Sequence, residues 1–139
     1  MGICSEIPIG AQASKEMSVT FDSTVARYHP EMPEVFGTPI MIYLMELAAS
    51  AAIENYLPKG WASVGVVVNV KHLAATPVGA VVTAFAEVVE VTDSTVTFKV
   101  EAHDGVEKIG EGTHTRAPIN MERFMKRAAS KKARVDAQQ

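Results

Sequence analysis

A long apolar segment with a single charge constrains the fold of this chain most strongly. Residues 38–52 read TPIMIYLMELAASAA, and Glu46 is the one charged residue among them. Thr38 followed by Pro39 is typical of a helix start, with a hydroxyl at the N-cap and a proline at the first helical position. The small residues of the second half indicate a helix that other elements enclose on several sides. We therefore expect a buried helix from Thr38 to about Tyr56.

The rest of the sequence predicts five strands. Alternating apolar and polar residues predict one strand within 15–25, before the helix, and four strands after it. The later strands are expected at 62–72, 80–91, 95–103 and 106–117. Short turns join them, and short connections favour an antiparallel sheet. The predicted fold class is α+β, with a five-stranded antiparallel sheet around one long helix.

The ends of the chain complete this prediction. Residues 1–14 show little pattern and are expected to be loose. Pro118 is expected to end the last strand, and Asn120 to cap a terminal helix over 121–134. With 139 residues and no linker-like segment, the whole of 1–139 is predicted to form one domain. A valine-rich edge strand invites pairing with a second copy, so we expect a homodimer.

Composition excludes several classes of function. A net charge of −3 gives no reason to expect a nucleic-acid partner, and no apolar segment has the ~20 residues that span a membrane. Cys4 is the one cysteine, which excludes an internal disulfide and fits a reducing cytoplasm. We expect a soluble cytoplasmic protein. Basic residues gather near the end of the chain, where we interpret them as a solvated helix face: Arg123, Lys126, Arg127, Lys131, Lys132 and Arg134.

Glu46 and His72 are the residues that point to chemistry. A carboxylate in an apolar helix is either paired or used, and burial would raise its pKa toward that of a general acid or base. Thr38 precedes Glu46 by eight residues, about 12 Å along a helix, so both cannot touch one small group within a single copy. His72 ends the valine-rich strand and shares the parity of Val64 to Val70. It is either a core histidine with a satisfied ring or a residue that faces Glu46.

Other catalytic motifs are missing from the sequence. Four scattered histidines and one cysteine give no zinc-ligand spacing. No glycine-rich phosphate loop and no GxSxG motif is present. Neither a metal nor another cofactor is expected.

Three segments together resemble a known family. They are PEVFGTPIMIYLMELA (33–48), VGVVVNVKHLAATPVG (64–79) and AHDGVEKIGEGTHTR (102–116). Over roughly residues 15–125, with the same order of elements, the chain is similar to the fluoroacetyl-CoA thioesterase-like proteins of the hot-dog fold. The resemblance implies an antiparallel sheet wrapped around one helix and assembled as dimers. It also implies hydrolysis of an acyl-CoA thioester to a carboxylate and free CoA.

The resemblance also implies roles for individual residues. The family's catalytic threonine, glutamate and histidine match Thr38, Glu46 and His72. Its glycine in the acyl pocket matches Gly65, and its arginine near the acyl group matches Arg116. In that picture Glu46 either attacks the thioester carbonyl or activates water, and His72 orients the carboxylate or protonates the leaving thiolate.

One departure from the family bears on the substrate. Members selective for fluoroacetyl-CoA resemble this chain around PEVF but carry an aromatic lid residue just before that proline. Met32 occupies the position here, beside Phe36, and a flexible methionine makes an unspecific gate. The resemblance therefore leaves the acyl group open. Two other functions are compatible with the fold: a non-catalytic acyl-CoA-binding module, and an enoyl-CoA hydratase, against which the absence of a histidine in the helix counts.

Overall fold

The computed structural model describes residues 2–139 as a curled antiparallel sheet packed on one long helix. The sheet has five strands, and all its pairs are antiparallel, as predicted. The elements in chain order are β1 (Gln12–Ser18), α1 (Thr38–Ile53), β2 (Trp61–His72), β3 (Val81–Val91), β4 (Val96–His103), β5 (Lys108–Asn120) and α2 (Met121–Asp136). The spatial order of the strands is β1-β3-β4-β5-β2. Within residues 2–139, no helix combines the length and apolar character needed to cross a membrane.

Helix α1 is the centre of the core, but it is not enclosed on all sides. Its buried side chains are Met41, Leu44, Met45, Ala48, Ala49, Ala52 and Ile53, and they pack on the inward-facing residues of the sheet. On the opposite side Tyr43 and Leu47 are exposed, with Pro39 one turn before them. Other elements therefore enclose α1 on several sides, as expected, but they do not cover it all round in the single chain. One apolar stripe of α1 lies open.

The start of the chain differs from the prediction. Residues 1–14 were expected to be loose, yet Ile3–Glu6 form a 3-10 turn, and Cys4 and Ile7 are buried in the core. Strand β1 begins at Gln12 and pairs with β3 over its whole length, whereas the segment after Ser18 turns into two short 3-10 helices. The bounds of β1 are set by its pairing with β3, and the alternation of apolar and polar residues within 15–25 did not indicate them. Met1 lies outside the described residues.

Strand β2 forms one edge of the sheet and carries a bulge. Its pairing with β5 shifts between Gly65 and Val67, so Val66 is an extra residue. The predicted common face of Val64 through His72 is therefore wrong, because a bulge exchanges the faces of the residues on its two sides. Gly65 and His72, which differ in parity, consequently point to the same concave face.

Pro118 does not end β5, as was predicted. The strand continues to Asn120, and Pro118 pairs with Ser63 of β2. Strand β4 begins at Val96, opposite Arg116, so beyond that point β5 has a neighbour on one side only and tolerates a residue without an N–H. Asn120 caps α2 as predicted, since its side chain accepts a hydrogen bond from the backbone of Arg123 at 3.0 Å.

A buried carboxylate holds the two loops that carry the site residues. One oxygen of Asp104 accepts hydrogen bonds from the backbone N–H groups of Val106 and Glu107, both at 3.0 Å, and the other accepts from the Thr76 hydroxyl at 2.9 Å. The Thr76 carbonyl in turn accepts from the N–H of Phe36 at 2.8 Å. The β4–β5 turn is thereby tied to the loop after His72 and to the segment before α1.

We expect Asp104→Asn to lower the free energy of unfolding by about 1–3 kcal/mol at pH 7, because an amide cannot accept all three bonds. Burial acts to raise the pKa of Asp104, but the backbone and Thr76 hydrogen bonds outweigh it, and the pKa lies below its ordinary value of 3.8. A lowered folded-state pKa stabilises the protein above the unfolded value, and this stabilisation is lost as the pH falls through the folded value. Urea denaturation of both proteins from pH 7 to pH 3 measures the effect. A difference that grows toward low pH would contradict it.

Candidate active site

The structure separates the predicted site residues into two clusters on the concave side of the sheet. Thr38 and His72 meet at the start of α1, and Glu46 meets Arg116 further along the helix, beside Gly65. Eight residues of helix, about 12 Å, separate Thr38 from Glu46. Within one chain, therefore, Glu46 does not share a hydrogen bond with either member of the other pair.

Thr38 is not the helix cap that the sequence suggested. Gly37 occupies the N-cap in an extended conformation, and Thr38 is the first helical residue, with Pro39 second. Because its hydroxyl is not needed to cap the helix, Oγ1 of Thr38 hydrogen-bonds Nδ1 of His72, 2.7 Å away. The last residue of β2 and the first residue of α1 are thus joined through their side chains.

His72 has one free and buried ring nitrogen. Its Nε2 has no hydrogen-bond partner and no solvent contact, so the expectation of a core histidine with a satisfied ring is not met. Burial lowers the pKa of His72, although a backbone interaction at Ala74 opposes the shift, and the neutral ring is favoured near pH 7. A neutral imidazole whose second nitrogen is unoccupied is suited to accept or donate a proton.

A shallow groove lies beside this pair. It has a volume of about 370 Å³, and the residues lining it, besides Thr38 and His72, are mostly apolar: Val25, Val35, Phe36, Leu73, Ala74 and Ala75. Phe36, predicted to bind substrate, is buried at the groove wall. Met32, the other predicted binding residue, is 46% exposed and does not line the groove.

Glu46 is paired with a buried arginine. Nη1 of Arg116 donates to Oε2 of Glu46 at 3.4 Å, and the Glu46 side chain is 34% exposed rather than buried. Arg116 also donates to the hydroxyl and the carbonyl of Ser63, both at 2.8 Å. Burial lowers the pKa of Arg116 and Glu46 opposes this, but an arginine stays charged at neutral pH. The carboxylate is thus held at the concave face by a fixed cation.

His114 completes this cluster and was missed as a site residue. It is 2% exposed, and its Nδ1 donates to the carbonyl of Val67 at 2.8 Å. Since a carbonyl only accepts and a guanidinium only donates, Nδ1 carries the hydrogen and Nε2 accepts from Nη1 of Arg116 at 3.1 Å. Oε2 of Glu46 lies 4.0 Å from Nε2. Burial is the main cause that lowers the pKa of His114 and keeps the ring neutral. The signal was its spacing: His114 and Arg116 are two residues apart on one strand and therefore share a face.

Gly65 leaves the space that Glu46 occupies. A methyl group added at Gly65 would lie 2.5 Å from Oε2 of Glu46 and 3.1 Å from Cε1 of His114. No side chain fits there unless the carboxylate moves. Gly65 and Arg116, which the family resemblance singled out, therefore flank Glu46 from two sides.

Known proteins with similar sequences identify the family of this chain. Residues 19–122 match the family of fluoroacetyl-CoA-specific thioesterases. The chain is 41% identical to the fluoroacetyl-CoA thioesterase of Streptantibioticus cattleyicolor over 122 residues, which cover 84% of this chain and 88% of that protein. The chain belongs to this family. The resemblance drawn from the three sequence segments is thereby confirmed.

Solved structures show the same fold. A variant of the fluoroacetyl-CoA-specific thioesterase FlK in complex with fluoroacetate and CoA superimposes with a TM-score of 0.78 at 41% identity, covering 84% of this chain and 98% of that one. A thioesterase superfamily member from Thermus thermophilus has a TM-score of 0.87 at 29% identity, covering 96% of this chain and 98% of that one. The predicted hot-dog fold is confirmed. The roles of Thr38, Glu46, His72, Gly65, Arg116, Met32 and Phe36 stay predictions.

We expect Gly65→Ala to lower kcat/KM for thioester hydrolysis by about tenfold to a hundredfold, since the methyl group displaces the Glu46 carboxylate. Stability should change little, because a partly exposed carboxylate is free to rotate toward solvent. Steady-state kinetics and a thermal melt measure the two effects. Ser14→Ala, at an exposed position on β1 at the opposite edge of the sheet, is the control. Unchanged kinetics in the Gly65 variant would show that the position of Glu46 does not matter.

Proposed function

We propose that this protein hydrolyses the thioester of a small acyl-CoA to a carboxylate and free CoA. The observation that carries the proposal is the pair of side-chain clusters: a threonine with a neutral histidine, and a glutamate held by a buried arginine. Both clusters lie on the concave face of a fold whose relative binds fluoroacetate and CoA. A carboxylate, a neutral imidazole and a hydroxyl can supply the nucleophile, the base and the proton transfer of thioester hydrolysis.

A homodimer supports this function by bringing the two clusters together. The edge strand β2 exposes Val66, Val67 and Val68 by 53%, 51% and 43%, and these residues lie between Gly65 and His72. Antiparallel pairing of two β2 strands, centred near Val68, brings the His72 end of each strand beside the Gly65 region of the other. Glu46 of one copy then lies on the same face as Thr38 and His72 of its partner. This removes the 12 Å separation that a helix imposes within one chain.

The open stripe of α1 favours the same assembly. Tyr43 is 56% exposed and Leu47 is 37% exposed, one turn apart on the helix that bears Glu46. Large apolar side chains in contiguous patches are uncommon on the surface of monomers. When two sheets join edge to edge through β2, the two helices on their concave faces approach each other. A second copy therefore covers both the strand edge and the helix stripe.

The residues divide the chemistry of hydrolysis among them. Glu46 attacks the thioester carbonyl or takes a proton from the attacking water, and the Arg116 guanidinium, 3.4 Å away, holds the carboxylate in place. The positive end of the α1 dipole, at Thr38, stabilises the oxyanion that forms at the carbonyl oxygen. The neutral His72 ring accepts a proton from water and passes it to the sulfur as the carbon–sulfur bond breaks, which returns the ring to its neutral form. Its bond to Thr38 fixes the ring orientation. These steps need neither a metal nor a redox cofactor.

The groove beside Thr38 and His72 favours a small acyl group. It is shallow and mostly apolar, and the buried Phe36 closes its wall. The gating position, Met32, is exposed and lies outside the lining, so the chain has no fixed aromatic lid there. The substrate class is a short acyl-CoA without a requirement for fluorine.

The lone cysteine, Cys4, is buried and unpaired among the described residues, as suits a cytoplasmic enzyme.

Release of free thiol from a panel of acyl-CoAs tests the proposal. The panel runs from acetyl- and fluoroacetyl-CoA through medium-chain to aromatic esters. We expect hydrolysis of the smallest esters, with kcat/KM falling as the acyl chain lengthens. Binding of CoA esters without turnover of any of them would favour a non-catalytic binding module instead.

A further inference from the structure

A cationic groove lies at the other end of β2, away from His72. Its volume is about 450 Å³, and its wall is formed by Trp61 of β2 with Pro118, Ile119 and Asn120 of β5. Three cations of the first turns of α2 line its other side: Arg123, Lys126 and Arg127. An aromatic and apolar wall opposite three positive charges is the surface that suits a phosphorylated nucleotide.

The charges of this groove are largely uncommitted. In the part of the chain that the structure describes, neither Arg123 nor Arg127 forms a salt bridge, and Lys126 makes a solvent-exposed pair with Glu122 at 3.4 Å. The Arg123 guanidinium lies 5.7 Å from the centre of the Trp61 ring, so this cation is held over the aromatic wall. A chain with a net charge of −3 thus presents a local positive surface here.

Helix α2 contributes little to the core. None of its residues from Met121 to Asp136 is buried, and its contacts with the sheet are mainly with β5. It begins one residue before the end of the family match at 122. The Asn120 cap and the stacking of Arg123 on Trp61 therefore set its position, and they aim its cations at the groove. The basic residues that the sequence predicted to form a solvated helix face are exposed, and in this first part of the helix they also line the groove.

The groove lies within reach of the candidate active site. Trp61, Ser63 and Gly65 are alternate residues of β2 and point to one face of the sheet. Four residues of strand, about 13 Å, separate Trp61 from Gly65. An extended pantetheine arm covers such a distance between a thioester at Glu46 and a nucleotide at Trp61.

We propose that this groove binds the 3′-phosphorylated ADP end of the CoA substrate. The adenine packs on Trp61 and the apolar residues beside it, and Arg123, Lys126 and Arg127 bind the phosphates. The proposal rests on the proposed thioesterase function for its ligand. It assigns α2 the role of selecting CoA esters over shorter thioesters.

The single tryptophan of the chain provides a direct test that does not depend on turnover. Titration of the intact protein with CoA should change the fluorescence of Trp61 with saturation, whereas pantetheine, which lacks the nucleotide, should not. Dephospho-CoA should bind more weakly than CoA, since one phosphate is missing. Tryptophan fluorescence that does not change on addition of CoA overturns the inference, whether or not the protein hydrolyses thioesters.

Kinetics of charge-reversal variants supply the second test. Lys126→Glu with Arg127→Glu should lower the ratio of kcat/KM for an acyl-CoA to that for the matching acyl-pantetheine by about tenfold or more. The control is Lys131→Glu with Arg134→Glu, which makes the same change of net charge on α2 outside the groove. An equal loss in both double variants would indicate a general field effect and overturn the site. If wild type hydrolyses neither ester, the thioesterase proposal fails, and the fluorescence titration still decides the groove.

Discussion

Replacing Glu46 with glutamine is expected to lower the rate of acyl-CoA hydrolysis by about 10²- to 10⁴-fold while the fold is kept. The amide preserves the size of the side chain, and its oxygen still accepts a hydrogen bond from Arg116. It neither attacks a carbonyl nor takes a proton from water. The loss should appear in kcat, because the substituted group acts on the reacting atoms and contributes little to binding of the CoA ester.

Free-thiol release with the best substrate of the panel measures this loss. Glu54→Gln is the matched control, since Glu54 is an exposed glutamate just after the same helix. Far-ultraviolet circular dichroism and a thermal melt verify that both variants are folded. Hydrolysis at the wild-type rate in the Glu46 variant would exclude the carboxylate mechanism.

A mixed dimer of two inactive variants is expected to regain activity if the site is built from two copies. In a dimer of Glu46→Gln with His72→Asn, one site combines the intact Thr38 and His72 of the first chain with the intact Glu46 of the second. The other site lacks both groups. The isolated heterodimer should therefore show about half the wild-type activity, and a randomly assorted mixture about a quarter.

Two affinity tags permit isolation of the mixed dimer and its assay beside the parent variants. Pairing Glu46→Gln with Glu46→Ala is the control, because both changes damage the same cluster and no intact site can form. A heterodimer of the first pair that is no more active than its parents would place the whole site in one chain. A fully active monomer would lead to the same conclusion.

Local patterns were sufficient for the elements and their order. The apolar run from Thr38, the valine-rich strand, the turn at Asp104 and the cap at Asn120 each specify a conformation through neighbouring residues, and the structure has all four. Antiparallel pairing followed because the connections are short. The start of β1 was not predictable, since seven mostly polar residues acquire their conformation from β3.

The candidate site was only partly readable in the sequence. Glu46 was conspicuous as a lone charge in an apolar helix, and its distance from Thr38 followed from helix geometry alone. Its partner Arg116 was not evident as such, because the two residues are 70 positions apart in the sequence and the curl of the sheet brings them together. The place of His114 in the site could not be predicted for the same reason, since it depends on hydrogen bonds to Val67 and Arg116.

By itself the sequence determined the α+β architecture, because strands and helices follow from periodicity and local propensity. It also indicated a valine-rich edge strand and the types of residue that could catalyse a reaction. Tertiary structure decided which residues meet. The bulge at Val66 places Gly65 and His72 on one face of the sheet. Thr38 contacts His72 at the start of the helix, and the curl of the sheet places Arg116 beside Glu46. Contacts between distant segments depend on register and curvature, and a bulge of one residue changes both.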